Sequence, residues 1–396
     1  VRLDVELDAV GRRLARAADI DDLRAMARRR LPGGVFDYID GAAEDETTLD
    51  RNRRAFLQAT FHPRVLIDVS RIDPSTELFG ERLPLPLLLA PTGFTRIAHP
   101  EGELAVARAA ARRGIPYSLS TLATRSIEEV AAVEPTGPRW FQVYMWRDRG
   151  MVRSMVERAE GSGYRGVLLT VDTAVFGRRE RDVRRGFTLP PKVGLQTLFD
   201  GVRHPAWSLD LLRNDPITFA NVAGDATRDG STAVSLSDFI NEQFDASISW
   251  RDLEWLASIT RLPILLKGVV SGADAKAGAD AGVAGIVVSN HGGRQLDGAP
   301  ATLEALPGVV EAVGDRLPVL LDGGVRRGRD VVAAVALGAA GVFIGRPYLY
   351  GLAVAGERGV DHVLQQFDAG VRRTLALLGR TSFGELHPTD VTLGRR

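Results

Sequence analysis

At 396 residues the chain exceeds the usual single-domain length but suits a β/α barrel with additions. Its 45% hydrophobic and 25% charged residues describe a globular protein with a large core, and fifty basic residues against fifty acidic ones argue against the strongly basic surface that nucleic-acid binding needs. The absence of cysteine excludes disulfides, thiolate metal sites and cysteine nucleophiles; no apolar run reaches the roughly 18 residues of a membrane span, and residues 1–30 lack a signal-peptide core, so the expected compartment is the cytoplasm.

Strand-length apolar runs recur along the chain at 85–91 (LPLLLAP), 115–120 (IPYSLS), 140–145 (WFQVYM), 166–171 (GVLLTV), 263–267 (PILLK), 285–289 (GIVVS), 318–322 (PVLLD) and 341–345 (GVFIG). Runs this continuously apolar suit parallel strands covered on both faces. Amphipathic stretches at 102–113, 126–133, 151–161, 250–259, 272–281, 303–313 and 328–337 alternate with them, and a last helix lies near 360–378. Eight alternations predict an α/β fold, a (β/α)8 TIM barrel in one unit spanning 1–396, with a helical extension over 1–84 and the barrel over 85–380. An open, doubly wound sheet is the competing arrangement. Between the fourth and fifth runs about 90 residues intervene, and residues 184–249 read as a long loop insertion over the active end, a lid or binding loop.

In such a barrel, function collects where the strands end. Those ends carry Thr92, Ser120, Gln142, Tyr144, Thr170, Asp172, Lys267, Ser289, His291, Asp322 and Arg346. Only three of the fifty basic residues are lysines, and Lys267 lies inside an apolar run, which points to a need for a compact ammonium there. The turns 322–328 (DGGVRRG) and 344–347 (IGRP) follow the last two strands. Their glycines allow backbone N–H groups near a phosphate, which Arg326 and Arg346 could bind. His291, just past the sixth strand, is a candidate general base with Asp172 as partner, and Arg294 could fix a carboxylate. The charge run 178–182 (RRERD) reads equally as a solvated face or as a second carboxylate clamp. The other histidines are scattered and imply no metal.

These residues and their order resemble the FMN-dependent L-2-hydroxy acid oxidases and dehydrogenases, which include glycolate and lactate oxidases, respiratory L-lactate dehydrogenase and (S)-mandelate dehydrogenase. The motifs are FDYIDGAAED at 36–45, APTG at 90–93, LST at 119–121, FQVY at 141–144, LTVD at 169–172, LKG at 266–268, SNHGGRQLD at 289–297, LDGGVRR at 321–327 and IGR at 344–346. The resemblance implies FMN as cofactor, held by Pro91, Thr92, Gly93, Ser120, Gln142, Thr170, Lys267 and Ser289, with Asp322 on the ribityl chain and Gly323, Gly324, Arg326, Gly345 and Arg346 at the phosphate. It makes His291 the base and Asp172 its partner, Arg294 and Arg179 the substrate-carboxylate arginines, and Tyr38 and Tyr144 the active-site tyrosines. Leu122 and Phe176 are then expected in the side-chain pocket.

The implied reaction takes the hydroxyl proton onto His291 as the α-hydrogen passes to flavin N5, giving a 2-keto acid. L-Lactate is the expected substrate, with an aromatic acid of the mandelate kind as the rival. Glycolate oxidases carry alanine at the position of Gly93 and an aromatic at that of Leu122. Gly93 and residues 204–214 look more like the respiratory enzymes, which implies a quinone acceptor, with oxygen as the alternative, and at most peripheral membrane contact through 184–249 on the cytoplasmic side. The family resemblance also implies a homotetramer. A non-catalytic flavin-binding barrel would be expected to have lost His291, Asp172 or the arginines.

Overall fold

The computed structural model describes residues 8–185, 200–222 and 242–394. Eight strands, named here β1 (Leu87–Leu89), β2 (Tyr117–Ser120), β3 (Arg139–Tyr144), β4 (Val167–Thr170), β5 (Ile264–Val269), β6 (Gly285–Val288), β7 (Val319–Leu321) and β8 (Gly341–Ile344), pair in parallel in sequence order. The ring closes where Val342, Phe343 and Ile344 pair with Leu87, Leu88 and Leu89. This closure excludes the open sheet and establishes the (β/α)8 barrel.

The predicted helices are found close to their expected limits: Gly102–Arg112, Ile127–Val133, Arg149–Gly161, Trp250–Ile259, Gly272–Asp280, Thr302–Val313 and Gly328–Ala336. Local chemistry sets the ends. Ser126 and Glu129 form a capping box at Ile127, while Asp148 and Ser271 cap the helices that follow them. The last helix is longer than its pattern suggested, Arg346–Leu378, because a break at Ala355 and Gly356 joins two helical pieces.

Strand side chains alternate between the outer face and the barrel interior. One interior layer is apolar: Leu88, Trp140, Leu168, Leu265, Val287, Leu320 and Phe343 pack into one cluster. A hairpin from the N-terminal extension, Thr76–Leu78 with Glu81–Leu83, adds Leu78 and Leu83 to that cluster and sets Phe79 against Trp140 at 5.0 Å between ring centroids, closing the lower end. Two residues further along each strand, the inward positions are Ala90, Ser120, Gln142, Thr170, Lys267, Ser289, Asp322 and Gly345. The two-residue period therefore turns the polar strand ends into one ring above an apolar floor.

Of the predicted insertion, the described part includes the helix Pro205–Arg213 and the bridge from Trp146 to Phe244. Residues 186–199 and 223–241, on which the rest of the lid expectation falls, lie outside the described residues. Among the described residues, no helix is long and apolar enough to cross a membrane.

Candidate active site

A cavity of about 590 Å³ opens over the polar ring. Twenty of the predicted site residues line it: Tyr38, Pro91, Thr92, Gly93, Ser120, Leu122, Gln142, Tyr144, Thr170, Phe176, Arg179, Lys267, His291, Arg294, Asp322, Gly323, Gly324, Arg326, Gly345 and Arg346. Asp172 and Ser289 stand one step behind this lining. Ser289 Oγ accepts from Lys267 Nζ at 3.0 Å and from the His291 backbone N–H at 3.1 Å, so it positions two lining residues.

His291 sits in a strained turn after β6, with φ of 57° in the left-handed region where a non-glycine residue costs about 1–3 kcal/mol. The surroundings hold it there. Asn290 and Asn52 exchange side-chain hydrogen bonds of 2.8 and 2.9 Å, and Arg346 donates to the Gly292 carbonyl at 2.9 Å. Asp172 Oδ1 lies 3.0 Å from His291 Nδ1. Burial works against the Asp172 charge, but His291 and Lys267 outweigh it and hold the carboxyl below its usual range. An ionised carboxylate can only accept, so the Nδ1 proton lies between the pair and Nε2 carries the free lone pair. Gly268 permits this approach: a Cβ there would come within 2.8 Å of the Asp172 side chain.

Lys267 is buried beneath the cavity, with Nζ 3.0 Å from Asp322 Oδ2. Burial disfavours its charge, yet Asp322 and Asp172 raise its pKa above the ordinary lysine value, so it remains an ammonium. Gln142 donates from Nε2 to Thr170 Oγ1 at 3.0 Å and accepts from Ser120 Oγ at 3.1 Å, which fixes the amide facing the ring.

At the other end, Arg326 is half-buried, with no ion pair among the described residues and with a buried, unpaired Nε. Burial pushes its pKa down, and Arg346 adds to that. Gly323 and Gly324 have φ of 91° and 90°, and a Cβ on Gly324 would come 2.5 Å from the Asn52 carbonyl. Helices begin at Gly328 and Arg346 beside these turns. Arg346 itself donates to the carbonyls of Ile39, Gly41 and Gly292, which spends three of its five N–H donors on the scaffold.

This donor set fits FMN. A half-buried guanidinium with a buried, unpaired Nε, amide-rich glycine turns and two helix N-termini suit the phosphate. Asp322 Oδ1, buried and unpartnered, suits a ribityl hydroxyl, and the Gln142 amide and Lys267 ammonium suit the polar edge of the ring system.

Arg179 and Arg294, which line the same cavity as His291, approach the Tyr38 ring at 5.5 and 5.1 Å. Arg294 donates to the carbonyls of Tyr38 and Gly41, at the end of the helix Gly33–Asp40. That helix end is tied down by buried Asp40, which accepts from Arg24, Arg181 and Tyr350. Burial and the neighbouring Arg179 push Arg294 down to about 9. A carboxylate between the two guanidinium groups would offset both effects. Burial raises the Tyr144 hydroxyl, which stays protonated and able to donate.

Sequence reasoning missed Asp182 and Phe219, both of which line the cavity, and Phe244 behind Phe176. Asp182 was hidden in a charge run. Phe219 and Phe244 belong to the insertion, whose contacts with the rim leave no periodic signal.

The model of the family described as FMN-dependent dehydrogenase matches residues 27–393. A protein named putative L-lactate dehydrogenase from Mycobacterium tuberculosis is 45% identical over 391 residues, 99% of this chain and 93% of that protein. Glycolate oxidase from Spinacia oleracea is 47% identical over 373 residues, 94% of this chain and 95% of the relative. Among solved structures, monotopic membrane protein (S)-mandelate dehydrogenase superposes with a TM-score of 0.92 at 41% identity, covering 96% of this chain and all of the other. With that match over nearly its whole length, the chain belongs to the FMN-dependent dehydrogenase family and is an oxidoreductase that uses FMN to oxidise 2-hydroxy acids.

Proposed function

We propose that this enzyme is an L-2-hydroxy acid dehydrogenase whose preferred substrate carries an apolar side chain larger than a methyl group, of the mandelate kind. This moves away from the sequence-based expectation of L-lactate. The observation that carries it is the contact between the two positions that depart from the glycolate oxidases: a Cβ on Gly93 would sit 3.1 Å from Leu122 Cβ and 3.9 Å from the Tyr38 hydroxyl. Glycine and leucine therefore remove bulk from the same wall. Phe176 completes an apolar surround, backed by Phe244 at 4.1 Å between centroids, and Phe244 in turn lies 5.1 Å from Tyr144.

In this reading Arg179 and Arg294 bind the carboxylate and Tyr38 and Tyr144 flank it. His291 Nε2 removes the hydroxyl proton, and Asp172 steadies the imidazolium that results. Bound FMN supplies the two-electron acceptor for the hydrogen on C2. Lys267 would hold a fixed positive charge at the base of the cavity toward the bound group, above the apolar layer of the barrel. The test is anaerobic flavin bleaching with a panel of acids. The specificity constant for (S)-mandelate is expected to exceed that for glycolate at least about tenfold, and Gly93→Ala is expected to erode the ratio of mandelate to lactate by about tenfold, the usual worth of one misplaced methyl. Glycolate as the best substrate of the parent enzyme would contradict the proposal.

For the electron acceptor we propose a membrane quinone. Leu209, Leu211 and Leu212 are exposed on the helix Pro205–Arg213, and a cleft beside it is lined by Arg12, Arg13, Arg16, Arg29, Arg30 and Arg203. An apolar helix flanked by arginines is suited to an anionic lipid surface. Reduced enzyme mixed with anionic vesicles containing ubiquinone is expected to sediment with them at low salt and to reoxidise faster than in oxygenated buffer; reoxidation that is faster with oxygen would assign an oxidase instead.

A further inference from the structure

Asp182 lies on the short helix Glu180–Arg185, lines the cavity, and is largely buried, with its side chain 14% exposed. Its Oδ2 is 3.4 Å from Arg179 Nε. Four charged groups act on it: Arg179, Arg294 and Arg181 favour its ionised form, while Asp37 opposes it. The proton-transfer chemistry leaves it unused.

The charges around the carboxylate-binding end show what it does. Arg179 and Arg294 supply two positive charges converging on one tyrosine ring. Lys267 is paired with Asp322, and Asp172 with His291, so neither is part of the clamp. With Asp182 ionised, the clamp carries one net positive charge. Among the described residues, the rest of the substrate wall, Leu122, Phe176 and Phe219, has no group that could neutralise a second anion. A buried unpaired charge is costly, so a site of net charge +1 discriminates by ligand charge as well as by shape.

We propose that Asp182 is a specificity-determining residue that matches the clamp to a single negative charge, making the enzyme selective for 2-hydroxy monocarboxylates against 2-hydroxy dicarboxylates. It acts through Arg179, as a positioning residue, and the inference rests on the reading of Arg179 and Arg294 as the substrate-carboxylate clamp. Burial raises its carboxyl above the ordinary range, and Arg179 and Arg294 act against that rise.

The test uses the FMN-loaded enzyme and reads binding from the perturbed flavin spectrum at neutral pH, with 2-oxopentanoate as the monoanion and 2-oxoglutarate, of the same chain length, as the dianion. In Asp182→Asn and Asp182→Ser the affinity for 2-oxoglutarate relative to 2-oxopentanoate is expected to rise at least about tenfold, equivalent to about 1.4 kcal/mol. Asp182→Glu is expected to keep the parental ratio within about threefold. A purely structural role would weaken both ligands together. A ratio unchanged within about twofold in both neutral variants would overturn the proposal, as would loss of FMN from both. If neither acid perturbs the parental flavin spectrum, the carboxylate-clamp reading fails as well, so the two failures are distinguishable.

Discussion

Replacing His291 with alanine is expected to slow substrate-driven flavin reduction by about 10²–10⁴-fold, the usual contribution of a positioned general base, while the protein keeps its FMN. The structure separates the two effects. The imidazole follows β6, whereas the turns at Gly323, Gly324 and Gly345, proposed for the phosphate, and the buried Lys267 belong to other strands of the same cavity. Alanine removes the contact with Asp172, but the loop is still held through Asn290 and Gly292. Stopped-flow mixing under anaerobic conditions gives the rate, and absorbance of the purified variant gives the FMN content. Parental bleaching rates in a variant with full FMN would remove His291 from the chemistry.

The second large effect is expected at Lys267. Lys267→Met removes the ammonium that Asp322 faces at 3.0 Å and leaves two buried carboxylates, Asp322 and Asp172, without a shared cation. Stranding one partner of a buried ion pair costs about 3–5 kcal/mol, so denaturant unfolding of the FMN-free protein should show a loss of that order. The purified variant is also expected to hold FMN weakly. A double variant, Lys267→Met with Asp322→Leu, removes the stranded charge and is expected to recover part of the stability but none of the FMN binding. An unchanged unfolding midpoint in Lys267→Met would show that the pair contributes nothing to the fold.

Most of the site was legible in the sequence because β-strand geometry is periodic. Once eight apolar runs close into a ring, the residue two positions past each floor residue must face inward at the mouth, and Ser120, Gln142, Thr170, Lys267, Ser289 and Asp322 all occupy such positions. The lone lysine in the 263–267 run was a compositional signal for the same layer. What the sequence could not show depends on long-range contacts. The hairpin Thr76–Leu83 that plugs the barrel is too short to announce itself among the loops. Arg346 has the spacing of a phosphate ligand, but its three bonds to backbone carbonyls depend on where the helix Gly33–Asp40 ends, some three hundred residues away. Asp182 and Arg179 sit in a run of five charges in which inward and outward positions differ only through tertiary packing. Gly93 and Leu122 were each visible as departures, yet only the fold reveals that they touch.

The central claim is that one cavity brings together a flavin phosphate end, a histidine base and a two-arginine clamp. A crystal structure of the holoenzyme with a bound 2-keto acid tests it most directly. The account predicts the FMN phosphate on the turns at Gly324 and Gly345 near Arg326, the acid's carboxylate between Arg179 and Arg294, and its keto oxygen against His291. An acid bound away from both arginines, or a flavin seated outside the barrel mouth, would contradict it.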